Sequence, residues 1–170
     1  MIVFAVDPGP AQSAWAKLVD DKLDGSGIRA NADMGQLLEA AYYAGAEIVL
    51  EVIEGFGKSV GEDVFRTCEW VGRFSAHVER LGGEVHRIGR RTVKLHLCHC
   101  SSANDPAVRQ ALIARYGPPR VSVDVAPGKK PRTAPGPTAG LAKDMWAALA
   151  VATTFLDKSA NSAQWPQNSA

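Results

Sequence analysis

What this chain lacks narrows its class before any motif is read. No apolar run reaches the length of about 20 residues that a membrane-spanning helix needs. No cleavable leader precedes the first apolar segment, so neither a membrane protein nor a secreted one is expected. Cysteine is scarce: Cys68, Cys98 and Cys100 are an odd set. That argues against a disulfide-stapled scaffold and for reduced thiols in the cytoplasm. Net charge is nearly absent, with 19 Lys and Arg against 18 Asp and Glu. Any affinity for nucleic acid must therefore come from a local basic patch. No internal repeat is present. What remains, 170 residues of which 46% are hydrophobic and 22% charged, suffices for one domain with an ordinary core.

The opening residues set the pattern. Residues 2–6 form a continuous apolar run, the signature of a central buried strand, and the run ends on Asp7. The turn Pro8-Gly9-Pro10 follows. An acid at the last position of a buried strand is held at the rim of the sheet, where a ligand can meet it. Aspartate is equally at home opening a turn, so this stretch alone leaves the two readings level. Residues 14–19 and 23–28 read as strands around Asp20-Asp21-Lys22, completing an antiparallel meander. Asn31 or Asp33 is expected to cap a helix carrying Met34, Leu37, Leu38, Ala41 and Tyr42, stopped at Gly45. Residues 47–51 form a second short buried strand that also ends on a carboxylate, Glu51, before the loop 55–61.

The longest helix is predicted over 62–81, with Val64, Cys68, Val71, Phe74 or Ser75, and Val78 on its buried stripe. Residues 84–88 read as another strand. A short helix over 92–97 is assigned Thr92 as its cap, and Asp105 is assigned as the cap of a helix ending at Tyr116. Residues 117–141 have no periodicity, are rich in proline and glycine, and read as a mobile basic loop. A last helix, 142–156, turns Met145, Ala148, Leu149, Ala152, Phe155 and Leu156 inward, and 158–170 reads as a disordered polar tail. The order β-β-β-α-β-α-β-α-α-α implies an α/β domain over 1–157. Its sheet is five-stranded and mixed, three antiparallel strands followed by two parallel ones, flanked by helices.

Three carboxylates converge in that topology. If the strands ending at Asp7 and Glu51 lie side by side and parallel, their side chains meet at one edge of the sheet. Asp144, in the first turn of the last helix, shares a stripe with Ala148 and Val151 that is expected to face the sheet. Alone, such an aspartate only favours the helix dipole, by about 0.3–1 kcal/mol. Three acids brought together without three bases repel. The cluster makes sense around a hard cation that takes oxygen ligands, Mg²⁺ or Mn²⁺. Two such ions, about 3.5–4 Å apart, activate a water and stabilise the leaving oxygen of a phosphodiester.

Several motifs stand in order along the chain: Val6-Asp-Pro-Gly9 with Ser13-Ala-Trp15; Val49-Leu-Glu51 with Gly57-x-x-Val-Gly-x-x-Val-Phe65; Thr67-Cys-Glu-Trp-Val-Gly-Arg-Phe74; His96-Leu-Cys98; Asp105 with Arg109-Gln-Ala-Leu112; and Asp144-Met-Trp-Ala-Ala-Leu-Ala-Val-Ala152. With the element order, they make the chain resemble the ribonuclease H-like superfamily. More narrowly, it resembles the RuvC-type Holliday-junction resolvases, their phage-like branch in particular. The resemblance covers residues 2 to 156. It implies a ribonuclease H-like fold and a homodimer that cleaves four-way or other branched DNA by two-metal hydrolysis. Asp7, Glu51 and Asp144 match the catalytic, metal-binding acids. A phage-encoded protein of this kind would work in the cytoplasm or nucleoid of a bacterial host. Such resolvases often carry a fourth acid three residues after the third; here that position is Ala147, which leaves the second metal's coordination open. Glu54 and Asp105 also remain open as further acids.

Lys58, Arg66, Arg90, Arg91, Lys94, Lys129, Lys130 and Arg132 cluster around the acids in sequence. Beside a nuclease site they read as phosphate contacts that position a DNA backbone without reading its bases. Phe56 reads either as a wedge stacking on an unpaired base or as core. His96, Cys98, His99 and Cys100 invite a zinc reading, but the second ligand pair of a zinc site is wanting, and Cys68 reads as a small buried hydrophobe. Trp70 and Phe74 on the long helix mark a dimer surface suited to a substrate with two symmetric strands to cut. Two other classes compete. A branched-DNA-binding protein with weakened nuclease activity is motivated by Ala147. An actin-like nucleotide hydrolase also opens on a strand, Asp-x-Gly and a hairpin, but this chain lacks room for its second half.

Overall fold

In the computed structural model, residues 1–55, 60–123 and 132–161 are described, the side chains of Val123, Arg132 and Lys143 excepted. β1 (Ile2–Asp7) pairs antiparallel with β2 (Gln12–Val19), and β2 with β3 (Lys22–Ala30). The β2–β3 turn puts Asp20 and Asp21 at φ 47° and 61°, a left-handed conformation that aspartate tolerates better than most residues. On its other edge β1 runs parallel to β4 (Glu47–Val52), reached through α1 (Asn31–Tyr43). β5 (Val85–Gly89) follows α2 (Glu62–Arg80) and runs parallel to β4. The resulting order, β3-β2-β1-β4-β5, is the five-stranded mixed sheet that the sequence pattern implies. α3 (Arg90–Cys98) and α4 (Asp105–Tyr116) come next, then β6 (Arg120–Val123), β7 (Arg132–Pro135) and α5 (Lys143–Ala160).

Both faces of the sheet are covered, which is why β1 is apolar at every interior position. Val3 and Ala5 point to the side of α3, α4 and α5, while Phe4 and Val6 point to α1 and α2. In β4, Val49 faces the α5 side, and Ile48 and Leu50 face the other. α5 lies across β1 and β2 through Ala148, Leu149, Val151, Ala152 and Phe155; its alanines let the helix come close to the strands. At the end of the sheet away from Asp7, Arg115 joins Asp21 in the β2–β3 turn to Asp157 on α5, with 2.8 Å contacts to each.

Several sequence expectations are corrected. Neither Asn31 nor Asp33 caps α1: Ala30 holds the N-cap position, and Asn31 is buried in a different network. α3 begins at Arg90 with Gly89 as N-cap, two residues before Thr92. α4 is capped by Asn104, whose carboxamide oxygen accepts from the Ala107 N–H at 3.0 Å, which leaves Asp105 in the first turn. On α2 the buried face runs through Thr67, Phe74, Ser75 and Val78, so Cys68 is exposed rather than buried. Thr67 can be buried because its hydroxyl donates to the Asp63 carbonyl at 2.8 Å. Phe74, assigned to a dimer surface, is only 3% exposed and belongs to the core. Two short strands, β6 and β7, pair within the stretch that lacks periodicity, and α5 continues to Ala160. Residues 56–59, 124–131 and 162–170, and with them Phe56, Lys58, Lys129 and Lys130, lie outside the described residues, as does the side chain of Arg132.

Candidate active site

Parallel pairing of β1 with β4, Val6 opposite Leu50, sets Asp7 beside Glu51 at the strand ends. Strand alternation sends both side chains to the α5 side, the side of Ala5 and Val49. The two carboxyls lie close enough to share a proton. The turn that follows Asp7 is fixed from below by a buried polar pair: the Ser13 hydroxyl donates to Asn31 Oδ1 at 2.6 Å, and Asn31 Nδ2 donates to the Gly9 carbonyl at 2.8 Å. Asn31 is thus spent on holding the β1–β2 turn.

Burial, the neighbouring Glu51 and its hydrogen bond, and Asp144 raise the Asp7 pKa from 3.8 to about 8, against the opposing charge of Arg90. At neutral pH the Asp7–Glu51 pair therefore retains a proton. Glu51, only 7% exposed, accepts from Arg90 Nη1 through both oxygens, at 3.0 and 3.3 Å, and Arg90 Nη2 reaches Asp105 at 2.8 Å. Burial alone would lower the Arg90 pKa, but Glu51 and Asp105 outweigh it and hold the guanidinium above its ordinary value. Asp144 is exposed at the start of α5, not turned into the sheet as Ala148 and Val151 are. It nevertheless lines a small cleft of about 60 Å³ with Asp7, Arg90 and Asp105, and Ala147 forms part of the same wall. On the other side of Arg90, Asp7 and Glu51 open into a larger cavity of about 680 Å³ walled by Ile53, Val60, Val64 and Phe65.

Glu54 has a separate task. Its carboxylate accepts from the Arg91 N–H at 3.0 Å and so serves an unpaired donor at the start of α3. It packs directly on Gly89, where an added Cβ would lie 2.2 Å from Glu54 Cδ. Any side chain at this position would displace the Glu54 carboxylate, and Glu54 in turn fixes the start of the helix that carries Arg90.

The donor chemistry suits a hard divalent cation: three carboxylates from three elements, two of them forced to share a proton. Among the described residues, though, no group of three or more His, Cys, Asp or Glu side chains is already placed to hold an ion. Glu51 is turned to Arg90 instead. Of the basic residues assigned to DNA, Arg90 sits inside the acid cluster, and Arg66 is paired with Glu62 on the exposed face of α2. Arg91 and Lys94, without ion pairs among the described residues, line a cavity of about 370 Å³ with Arg90, Ser101 and Ser102. His96 pairs with Asp157 at 2.7 Å. The sequence pattern missed the Arg90 bridge and the Arg109 guanidinium resting over Trp146. The only signal for the first was an arginine directly after a strand that borders an acid-tipped one.

No family model matches the sequence, and no curated protein matches it. Solved structures do match. RuvC from Thermus thermophilus superposes with a TM-score of 0.70 at 17% identity, over 95% of this chain and 97% of that one. The fold is that of RuvC. A second structure, T. thermophilus RuvC in complex with Holliday junction substrate, gives a TM-score of 0.70 at 16% identity, covering 95% of this chain and 96% of the other.

Proposed function

We propose that this protein is a metal-dependent, structure-selective endodeoxyribonuclease that resolves four-way or other branched DNA. The observation that carries the proposal is the adjacent Asp7–Glu51 pair at the ends of two parallel strands, with Asp144 lining the same cleft as Asp7. The site lies in a fold shared with a protein solved on a Holliday junction. Asp7, Glu51 and Asp144 would hold Mg²⁺ or Mn²⁺, two ions per site. When bound, the metal supplies activation of the attacking water and neutralises charge developing on the phosphate.

The chain's own residues do the rest. Asp7 gives up its retained proton when positive charge enters the cleft, because the repulsion that holds the proton is then relieved. Arg90 keeps a permanent positive charge between Glu51 and Asp105, next to where a phosphate would lie. Arg91 and Lys94, with the hydroxyls of Ser101 and Ser102, bind a neighbouring backbone phosphate. From the sequence alone, Lys58, Lys129, Lys130 and Arg132 are assigned to further phosphate contacts, and Phe56 either to a base stack or to the core. A homodimer would present two such sites to the two symmetric strands of a junction.

A panel of four-way junctions, forks, flaps and linear duplexes in Mg²⁺ and in Mn²⁺ tests this reading. Incision of the branched substrates with the linear duplex spared is the expected result; equal cutting of linear duplex would overturn structure selectivity. A second reading, a junction-binding protein with weakened nuclease activity, draws on Ala147 in the cleft wall and on the pairing of Glu51 with Arg90. Tight junction binding without incision in any divalent metal would select it.

A further inference from the structure

Beside the acid cleft, a second groove runs between α4 and the start of α5. It is walled by Gln110, Ile113 and Leu141 and shares Asp105, Arg109 and Trp146 with the cleft that holds Asp7 and Asp144. Its volume is about 620 Å³, within the roughly 300–1,000 Å³ of small-ligand sites. Trp146 forms the floor. It is 6% exposed, and its indole N–H donates to the Leu141 carbonyl at 3.2 Å. The Arg109 guanidinium lies over that ring, 4.9 Å from the centroid. Arg109 is exposed and makes no ion pair among the described residues. The acid nearest to it in the groove, Asp105, is taken by Arg90 at 2.8 Å.

A guanidinium held on an indole has one face covered and the other presented for a second planar ring. Next to it the exposed Gln110 carries a donor and an acceptor, both without side-chain partners among the described residues. We infer that this groove is a nucleobase subsite. The base of a nucleotide flanking the phosphate in the acid cleft stacks on Arg109, and the Gln110 carboxamide reads its edge. The inference rests on the nuclease reading above and makes it more specific, because it assigns base preference at the cut to α4.

Three features select a nucleobase over other occupants. The floor is apolar and aromatic, the cation above it is planar and unneutralised, and the groove shares a wall with the cleft. A strand whose phosphate enters that cleft therefore carries its next base to the groove. Base–arginine stacking tolerates any base, so discrimination falls to the single amide.

The test uses the full chain with four-way junctions that carry 2-aminopurine at each position flanking the crossover, saturated with protein in Ca²⁺ to hold back incision. Leaving the base stack for Arg109 should brighten one position severalfold, and Arg109→Ala should return it to the level of the free junction. In Mg²⁺, a junction set with each base at that position should show a preference in the unmodified protein that Gln110→Ala flattens. Brightening that persists in Arg109→Ala, together with an unaltered base preference in Gln110→Ala, overturns the subsite while leaving the nuclease reading intact. Loss of all junction binding in Arg109→Ala would make Arg109 a backbone contact and would also overturn it. An unmodified protein that neither binds nor incises any branched DNA removes both readings.

Discussion

Asp7 and Glu51 share an edge of the sheet with one arginine and one proton between them. The Asp7 pKa, raised to about 8 mainly by burial, has a definite consequence for stability. Below about pH 4 the folded and unfolded chains both carry the proton, and the group costs nothing. As pH rises from about 4 to 8 the unfolded chain loses the proton that the fold retains, so stability falls through this window. Asp7→Asn should therefore match the unmodified protein at pH 4 and exceed it at pH 8 in metal-free buffer by about 1–3 kcal/mol. Thermal denaturation at the two pH values checks this; a difference that does not grow with pH would contradict it. Ala147 makes a second prediction. It lines the cleft with Asp7 and Asp144, so Ala147→Asp should tighten Mn²⁺ binding several-fold by calorimetry and lower metal-free stability through added repulsion. At this scale the positions of Asp7 and Glu51 at the rim were legible because each closes an apolar run, whereas Asp144, expected on an inward stripe, is exposed. Arg90 was not legible, since its contact with Glu51 spans 39 positions of sequence and depends on side-chain reach that no periodicity encodes. Glu54 is illegible for the same reason: its partner is a backbone N–H on another element.

Elements were read well where burial is two-sided and poorly where it is local. Continuous apolar runs announced β1 and β4, and with them the pairing that joins Asp7 to Glu51. Helix starts were displaced by one or two residues. Asn104 and Asp105 are both good caps, and only the geometry, an Ala107 N–H reaching Asn104, decides between them. The α2 stripe holds at Val71, Phe74, Ser75 and Val78 and fails at Cys68, because hydropathy favours Cys68 over Thr67 whereas the structure satisfies the threonine hydroxyl internally. β6 and β7 are only four residues each, too short for the Val121-Ser122-Val123 alternation in β6 to stand out among the prolines and glycines around it. Two measurements follow at this level. Asn104→Ala should cost about 1 kcal/mol of stability by denaturant unfolding, and Asp105→Ala should cost less, as Asp105 caps nothing. Gly89→Ala would put a methyl where the Glu54 carboxylate rests. It should dislodge Glu54 from α3 and reduce activity, and a normal protein would show that Glu54 yields without cost.

For the whole molecule, the near-zero net charge leaves little long-range attraction for DNA, so the proposed function needs the basic wall around the cleft to supply the affinity. Arg91→Ala and Lys94→Ala should each weaken junction binding about equally for all sequences and reduce the slope of log affinity against log salt by about 1. Mobility-shift titrations at several salt concentrations measure that slope, and unchanged slopes would place the backbone elsewhere. The central claim is that three carboxylates carried by the two parallel strands and α5 form one hydrolytic site. Single-turnover incision of a four-way junction by Asp7→Asn and by Asp144→Asn in Mg²⁺, with binding measured alongside, tests it most directly. Loss of incision by at least about a hundredfold in both variants with junction binding retained is the predicted result; incision by either variant at the rate of the unmodified protein would contradict it.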